Sequence, residues 1–252
     1  MAAPPPPPPT DPYYRDDLAL VHHRGFAFHA AMCAPGILAL LEPVRERRGL
    51  VVEIGCGSGL LTSSLVAAGH RVVATDASPA MLRLAAAEVP GVELARLVLP
   101  DDPVPEADAI VGVGHALNYL DDLDEVHRAL GHLARAVRPG GLLAIDLCDL
   151  EWGRHRMGQD SIGRAGDEWA IVTRFSVPAP DRYVREMTTF VRNDDGSWRR
   201  DDERHDNVLV DTSTVPGLLA AHGLQPEVRD AFGDEELPVG LRVLVGRRPR
   251  AT

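Results

Sequence analysis

The sequence predicts an α/β fold, a doubly wound domain on a mostly parallel sheet, followed by a smaller antiparallel unit. Three observations carry this. Between residues 50 and 148, unbroken apolar runs alternate with stretches of helical periodicity, the pattern of strands buried on both faces. The first run feeds directly into three alternating glycines, Gly55, Gly57 and Gly59. After residue 150 the pattern changes to two-residue alternation, with Trp169, Ile171, Thr173, Phe175 and Val177 on one face.

The elements follow in order. Residues 1–10, MAAPPPPPPT, cannot build a core and are expected to form a disordered tail. In 11–48, Leu18, Val21 and Phe28, then Ile37, Leu38, Leu41 and Val44, recur near helical spacing; Pro35-Gly36 is expected to break this stretch in two. In 49–150, strands are expected at 50–54, 71–75, 92–97, 109–113 and 142–147, and helices at 59–68, 79–88 and 122–137. Asp121 and Asp122 stand where a helix cap and first-turn acids belong. Arg138-Pro139-Gly140-Gly141 ends the third helix and turns into the fifth strand. Residues 151–210 read as an antiparallel insertion with strands at 169–177, 183–191 and 204–210, and a turn at Asp194-Asp195-Gly196-Ser197. In 211–252, a helix at 213–222 and strands near 226–232 and 240–246 return to the main sheet.

Composition excludes several chemistries. The chain has 252 residues and a mass of 27.2 kDa, enough for one large domain or one domain with a small insertion. All 26 basic residues are arginine. Without lysine there is no Schiff-base chemistry of the pyridoxal-phosphate kind and no P-loop lysine. A net charge of −11 argues against a nucleic-acid partner. The ten arginines of 151–210 are interspersed with twelve acids, a solvated surface and not a basic stripe. Cys33, Cys56 and Cys148 have no paired spacing, so neither a metal site nor a disulfide framework is expected, and a reducing cytoplasm is the simplest location. No apolar window approaches the ~18 residues of a membrane span, and no secretory leader is visible.

Glu53-Ile54-Gly55-Cys56-Gly57-Ser58-Gly59 carries the most information. Alternating glycines allow a tight turn and close approach of backbone to a ligand, and the following helix offers free N–H groups. The next strand ends in Asp76, 17 residues beyond Gly59, where a carboxylate can accept both hydroxyls of a ribose. A nicotinamide cofactor fits poorly: Leu60 stands where its third glycine belongs, and Glu53 would face a pyrophosphate.

With its preceding acid, its G-x-G-x-G spacing, Asp76, and Arg138-Pro139-Gly140-Gly141 before the fifth strand, the stretch 50–148 resembles the class I S-adenosylmethionine-dependent methyltransferases. The resemblance implies their Rossmann-like fold, a seven-stranded mostly parallel sheet with one antiparallel strand near the end. It implies S-adenosyl-L-methionine as cofactor, held by Glu53, Gly55, Cys56, Gly57, Gly59, Asp76, Ala77, Met81, Leu97, Val98, Gly114 and His115. Cys56 is then a small residue beside the cofactor rather than a nucleophile. Many relatives place an Asp near the end of the third strand; here Ala95-Arg96-Leu97-Val98-Leu99-Pro100 leaves adenine to the backbone around Leu97 and Val98. Asp101 and Asp102 could take the place of that Asp, though they read first as a solvated acidic loop.

In that architecture the acceptor faces the end of the fourth strand, Gly112-Val113-Gly114-His115-Ala116-Leu117-Asn118-Tyr119. His115 stands where a general base would. Residues 17–26 resemble a helical lid of small-molecule bacterial methyltransferases through His22, Gly25 and Phe26, and Glu203 and His205 resemble an acid-x-His pair of their insertion. His115, His205 and His22 are the catalytic candidates. Tyr14, Asn118, Tyr119, Arg174 and Arg185 are the expected acceptor contacts. The expected reaction is methyl transfer to O or N of a small molecule in secondary metabolism, by a monomer or homodimer without nucleic acid or membrane. Its rivals are non-methylating use of the same cofactor, such as cyclisation, and a non-catalytic cofactor-binding subunit.

Overall fold

The computed structural model describes residues 13–159 and 161–250; the proline run 1–10 lies outside them. A seven-stranded sheet comprises β1 (Leu50–Ile54), β2 (Arg71–Asp76), β3 (Glu93–Arg96), β4 (Ala107–Gly112), β5 (Val137–Cys148), β10 (Gln225–Arg229) and β11 (Leu241–Arg247), in the order β10-β11-β5-β4-β1-β2-β3. β11 runs antiparallel to both neighbours, and the remaining pairs are parallel.

Both faces of this sheet are covered, which explains the unbroken apolar runs. Val52 and Ile54 of β1 pack with Ile110, Leu130 and Leu133 toward α5 (Leu123–Ala136) and α7 (Val215–Ala221). Val51, on the opposite face, packs with Ile37, Leu41 and Leu65 of α2 (Phe28–Glu46) and α3 (Leu60–Ala67). In α5, Val126, Ala129, Leu130, Leu133 and Ala134 form the buried stripe, and Asp122 caps the helix by accepting from the Glu125 N–H at 2.8 Å.

The N-terminal helices break elsewhere than the sequence suggests. α1 (Asp16–Gly25) ends ten residues before Pro35, and α2 passes through both Pro35 and Pro43. The break therefore lies at residues 26–27, with a 65° bend between the helices. Burial of Cys33, Ile37, Leu40, Leu41 and Val44 outweighs the hydrogen bonds that the prolines remove. Gly36 serves contact, not termination: a Cβ there would stand 2.4 Å from the backbone nitrogen of Gly233.

The second sheet is antiparallel, in the order β6-β7-β8-β9, with β6 (Ile162–Ala165), β7 (Trp169–Ala179), β8 (Arg182–Arg192) and β9 (Trp198–Val208). Its Trp169, Ile171, Met187 and Val191 pack on Leu18 and Val21 of α1. Two elements gave no periodic signal: the short α6 (Leu150–Arg156) and the wholly exposed edge strand β6. Arg138–Gly141 is not a turn but the start of β5, beside a register shift between Ala107 and Ala109. Among the described residues, no single helix is long and apolar enough to cross a membrane.

Gly36→Ala should force the α2 backbone away from Gly233. The expected loss is ~1–3 kcal/mol, read as a lower denaturant midpoint with an unchanged slope.

Candidate active site

The site grows from the end of β1. Gly55, Gly57 and Gly59 have φ of 60°, 55° and 84°, a region where L side chains are strained. Asp76, at the end of β2, accepts from the N–H of Gly57 and of Ser78, each at 2.8 Å. Burial pushes its carboxyl upward while these amides pull it down. Ser78 caps α4 (Pro79–Glu88), accepting from the Met81 N–H at 3.2 Å and donating to the Tyr14 carbonyl at 2.8 Å.

A cavity of about 400 Å³ opens here. Gly55, Gly57, Asp76, Ala77, Met81, Leu97 and Val98 line one part, and Tyr13, Tyr14, His22, Gly114 and Tyr119 also face it. At Gly57 an added Cβ would meet only Met81 Sδ, at 3.9 Å, and at Gly114 nothing within 4 Å. A backbone cradle, a carboxylate for a diol and apolar faces for a base fit an adenosyl cofactor without phosphate. A separate polar groove beside α1, lined by Arg24, Glu168, Arg192 and Arg199, lies away from the glycine loop.

Four of the expected cofactor residues, Glu53, Cys56, Gly59 and His115, do not line the cavity, which corrects their expected place against the cofactor. Glu53 is buried and accepts from Thr62 Oγ1 at 2.7 Å; burial pushes its carboxyl up to about 8, against that hydrogen bond. Cys56 is buried and burial pushes its thiol up, which removes the thiolate a nucleophile needs. Gly59 caps α3 and backs onto Ala85. The backbone expected to hold adenine is engaged: the Leu97 N–H donates to the Asp76 carbonyl at 3.1 Å, and the Val98 N–H to Asp102 at 2.7 Å. Asp102 is thus a loop anchor, and Asp101 lines the cavity, as do Asp121 and Glu125 farther along the chain.

Beyond β4 the chain is fixed by Asp146 of β5, a residue the sequence reading passed over. Its carboxylate accepts from the N–H of Gly114 (3.0 Å) and His115 (2.6 Å) and lies 3.2 Å from His29 Nε2. Burial opposes ionisation, but His29 and the amide outweigh it and hold Asp146 below the usual carboxylate range. A lone acid in the apolar run 142–148 was the available signal. His115 sits at φ 51° with its ring stacked 5.5 Å from Tyr119. Its Nδ1 has no hydrogen-bond partner among the described residues, and burial, then the Arg185 charge, pushes it down to about 3.

Further contacts join the N-terminal segment to the second sheet. The hydroxyls of Tyr14 and Tyr119 are 2.9 Å apart, and Arg185 Nη2 donates to the Tyr119 hydroxyl. Glu203 accepts from the backbone N–H of Tyr14 and Arg15, both at 2.8 Å, and lies 2.9 Å from His205 Nε2. Arg185 Nη2 lies 3.3 Å from His205 Nδ1. Because a guanidinium only donates, that nitrogen is the acceptor and Nε2–H points at Glu203. Both nitrogens of His205 are therefore committed, and burial with the Arg185 charge pushes it down to about 2. This corrects its expected role: it braces and does not face the acceptor as a base. His22 lines the cavity with Nδ1 unpartnered, pushed down to about 4 by burial and Arg185.

Two acceptor candidates are also corrected. The Asn118 side chain is buried and spent on backbone: it donates to the Cys148 and Val208 carbonyls and accepts from the Cys148 N–H. Arg174 is exposed, on the opposite face of β7 from Trp169 and Ile171.

The raised Glu53 carboxyl has a signed consequence. The native state holds a proton that the unfolded chain releases, so stability falls as pH rises from about 4.5 to about 8. Glu53→Gln keeps the Thr62 contact and should flatten this fall, by less than the ~5 kcal/mol of the whole shift. Urea midpoints at pH 5 and pH 8 measure it.

Comparison with known proteins places this geometry. Residues 51–141 match the family model described as "Methyltransferase domain". A Geobacillus sp. (strain WCH70) protein with a methyltransferase name is 28% identical over 199 residues, 76% of this chain and 80% of its own length. The sugar N-methyltransferase KedS8 from Streptoalloteichus sp. superposes with a TM-score of 0.78 at 22% identity, covering 99% of both chains. The S-adenosylmethionine-bound amino pentose methyltransferase CalS10 from Micromonospora echinaspora superposes with 0.69 at 20% identity, covering 94% of this chain and 98% of its own. Residues 51–141 are thus similar to the methyltransferase-domain family, and the chain has the fold of these S-adenosylmethionine-dependent methyltransferases.

Proposed function

We propose that the chain moves the methyl group of S-adenosylmethionine to an N or O atom of a small molecule. One observation carries this: a single cavity is shared by the glycine loop and Asp76 and by Tyr14, His22, Gly114 and Tyr119. The methyltransferase fold of KedS8 and CalS10, which act on sugars by name, supports a small polar acceptor and a role in secondary metabolism.

When bound, the cofactor supplies a methyl group already activated by a cationic sulfur. Asp76 would hold the ribose hydroxyls, and the backbone at Gly55 and Gly57 the amino-acid end. Ala77, Met81 and Leu97 would flank adenine, with Asp101 placed for its amino group. Gly114, without a side chain, leaves room for the reacting atoms. His22 is neutral at pH 7 and its lone pair or proton can orient an amine or hydroxyl, although at about 4 it is a weak base. Catalysis then rests on positioning and exclusion of water. The second sheet and α1 would cover the acceptor, in a protein acting in the cytoplasm.

Thermal unfolding with S-adenosylmethionine, S-adenosylhomocysteine and NAD(P)H tests the cofactor assignment. At 100 times its dissociation constant a native-state ligand adds ~2.7 kcal/mol, a shift of several degrees in a chain this size. The two adenosyl sulfur compounds should give that shift, NAD(P)H none, and Asp76→Ala should weaken the first two at least tenfold. S-adenosylhomocysteine release with amino-sugar, amine and phenol acceptors then separates methyl transfer from mere binding, and a methylated product separates it from cyclisation. Turnover of His22→Ala or His115→Ala within about threefold of the parent would remove that histidine from the chemistry.

A further inference from the structure

Among the described residues, Arg185 is an inward-facing cation without an anion beside it. It lies on β8 opposite Phe175 of β7 and His205 of β9. Its Nη2 meets the Tyr119 hydroxyl and His205 Nδ1, its guanidinium carbon stands 5.5 Å from the centre of the Tyr119 ring, and its Nε is buried without a partner. No carboxylate among the described residues forms an ion pair with it; by contrast Arg15 pairs with Asp201 and Arg199 with Asp17. Glu203 lies one imidazole away, its oxygens already taking the N–H groups of Tyr14 and Arg15 and of the His205 ring. Arg185 is half-buried; a charge partly withdrawn from water without an opposite charge beside it is costly, and its retention asks for a partner that arrives with a ligand.

The partner's place is marked by the hydroxyls in front of the guanidinium. Tyr14 and Tyr119 both face the cavity, with their oxygens 2.9 Å apart. Because Arg185 donates into the Tyr119 oxygen, the phenolic proton is left to be given to Tyr14 or to a ligand, and the cation strengthens it as a donor. The three imidazoles nearby are neutral, so they neither add to nor cancel that charge. The acids Asp121 and Asp206 act on Tyr13, whereas Arg185 acts on Tyr14 and Tyr119.

We propose that the methyl acceptor carries an oxyanion, a carboxylate or a phosphate, that docks on the Tyr14–Tyr119 hydroxyl pair with Arg185 behind it. This rests on the methyl-transfer reading and narrows its substrate class.

The test uses the full chain saturated with S-adenosylhomocysteine. It is titrated with acetate, with inorganic phosphate and with acetamide, the uncharged counterpart of acetate, at constant ionic strength. Thermal unfolding and calorimetry are the readouts. At least one oxyanion should stabilise the complex and acetamide should not; the response to acetate against phosphate separates the two sources. Arg185→Met should weaken the oxyanion at least tenfold, leave S-adenosylhomocysteine affinity within threefold, and leave the melting temperature of the ligand-free chain unchanged or higher. Arg185→Lys, which keeps the charge but not the planar fork, should retain part of the response and serves if the Met variant does not fold. An oxyanion effect that survives in Arg185→Met, or an equal effect of acetamide, overturns the proposal. So does a tenfold loss of S-adenosylhomocysteine affinity, which would assign Arg185 to the cofactor carboxylate. If S-adenosylhomocysteine fails to bind the parent chain, the cofactor reading fails by itself, and the same titrations of the ligand-free chain still read Arg185.

Discussion

A carboxylate placed in a strand that is buried on both faces must find donors within the protein, and at Asp146 this requirement shapes the site. Among the described residues its hydrogen-bond partners are the chain leaving β4 and His29 on α2, so satisfying one buried acid of β5 ties three separate elements together. The Gly114–His115 turn is pulled back toward β5, His115 takes a left-handed backbone, and its ring lies flat along Tyr119. Glu203 does the same for the other wall. It takes two backbone N–H groups of the N-terminal segment and the His205 ring, so the segment is held against β9 by a buried charge and not by apolar contact alone.

The parts of this site legible in the sequence are those where chemistry restricts residue type. Close backbone approach needs glycine, a ribose diol needs a carboxylate at the end of β2, and both stand where the spacing puts them. What depends on side-chain direction was less accessible, though not wholly hidden. Two-residue alternation already set Trp169, Ile171 and Thr173 on one face of their strand, which sends Arg174 to the other; the same parity on the next strand turns Arg185 inward with Tyr183 and Met187. Asn118 shows the opposite limit. An amide in a tight turn serves a ligand or the backbone equally well by type, and only the nearness of Cys148 and Val208 decides. At Pro35-Gly36 a local rule was overridden by tertiary burial, because the face of α2 that packs on the sheet continues through both residues.

The electrostatic character of the site is set by one unbalanced guanidinium and by burial. Together they keep His22, His115 and His205 uncharged near neutral pH, so three residues of a type usually read as a proton carrier act here as polar surfaces with fixed lone pairs. That suits a reaction whose electrophile is already activated. The net charge of −11 belongs to the solvated exterior and says little about this interior.

Tyr14 joins these parts in a single residue. Its N–H meets Glu203 of the second sheet, its carbonyl meets Ser78 at the cofactor side, and its hydroxyl meets Tyr119 beyond β4. Displacing it breaks all three contacts at once, so the second sheet, the cofactor side and the turn beyond β4 are not held independently. The consequence is mechanical: the two halves of the cavity share one clasp, and a change at either is felt at the other through a single side chain.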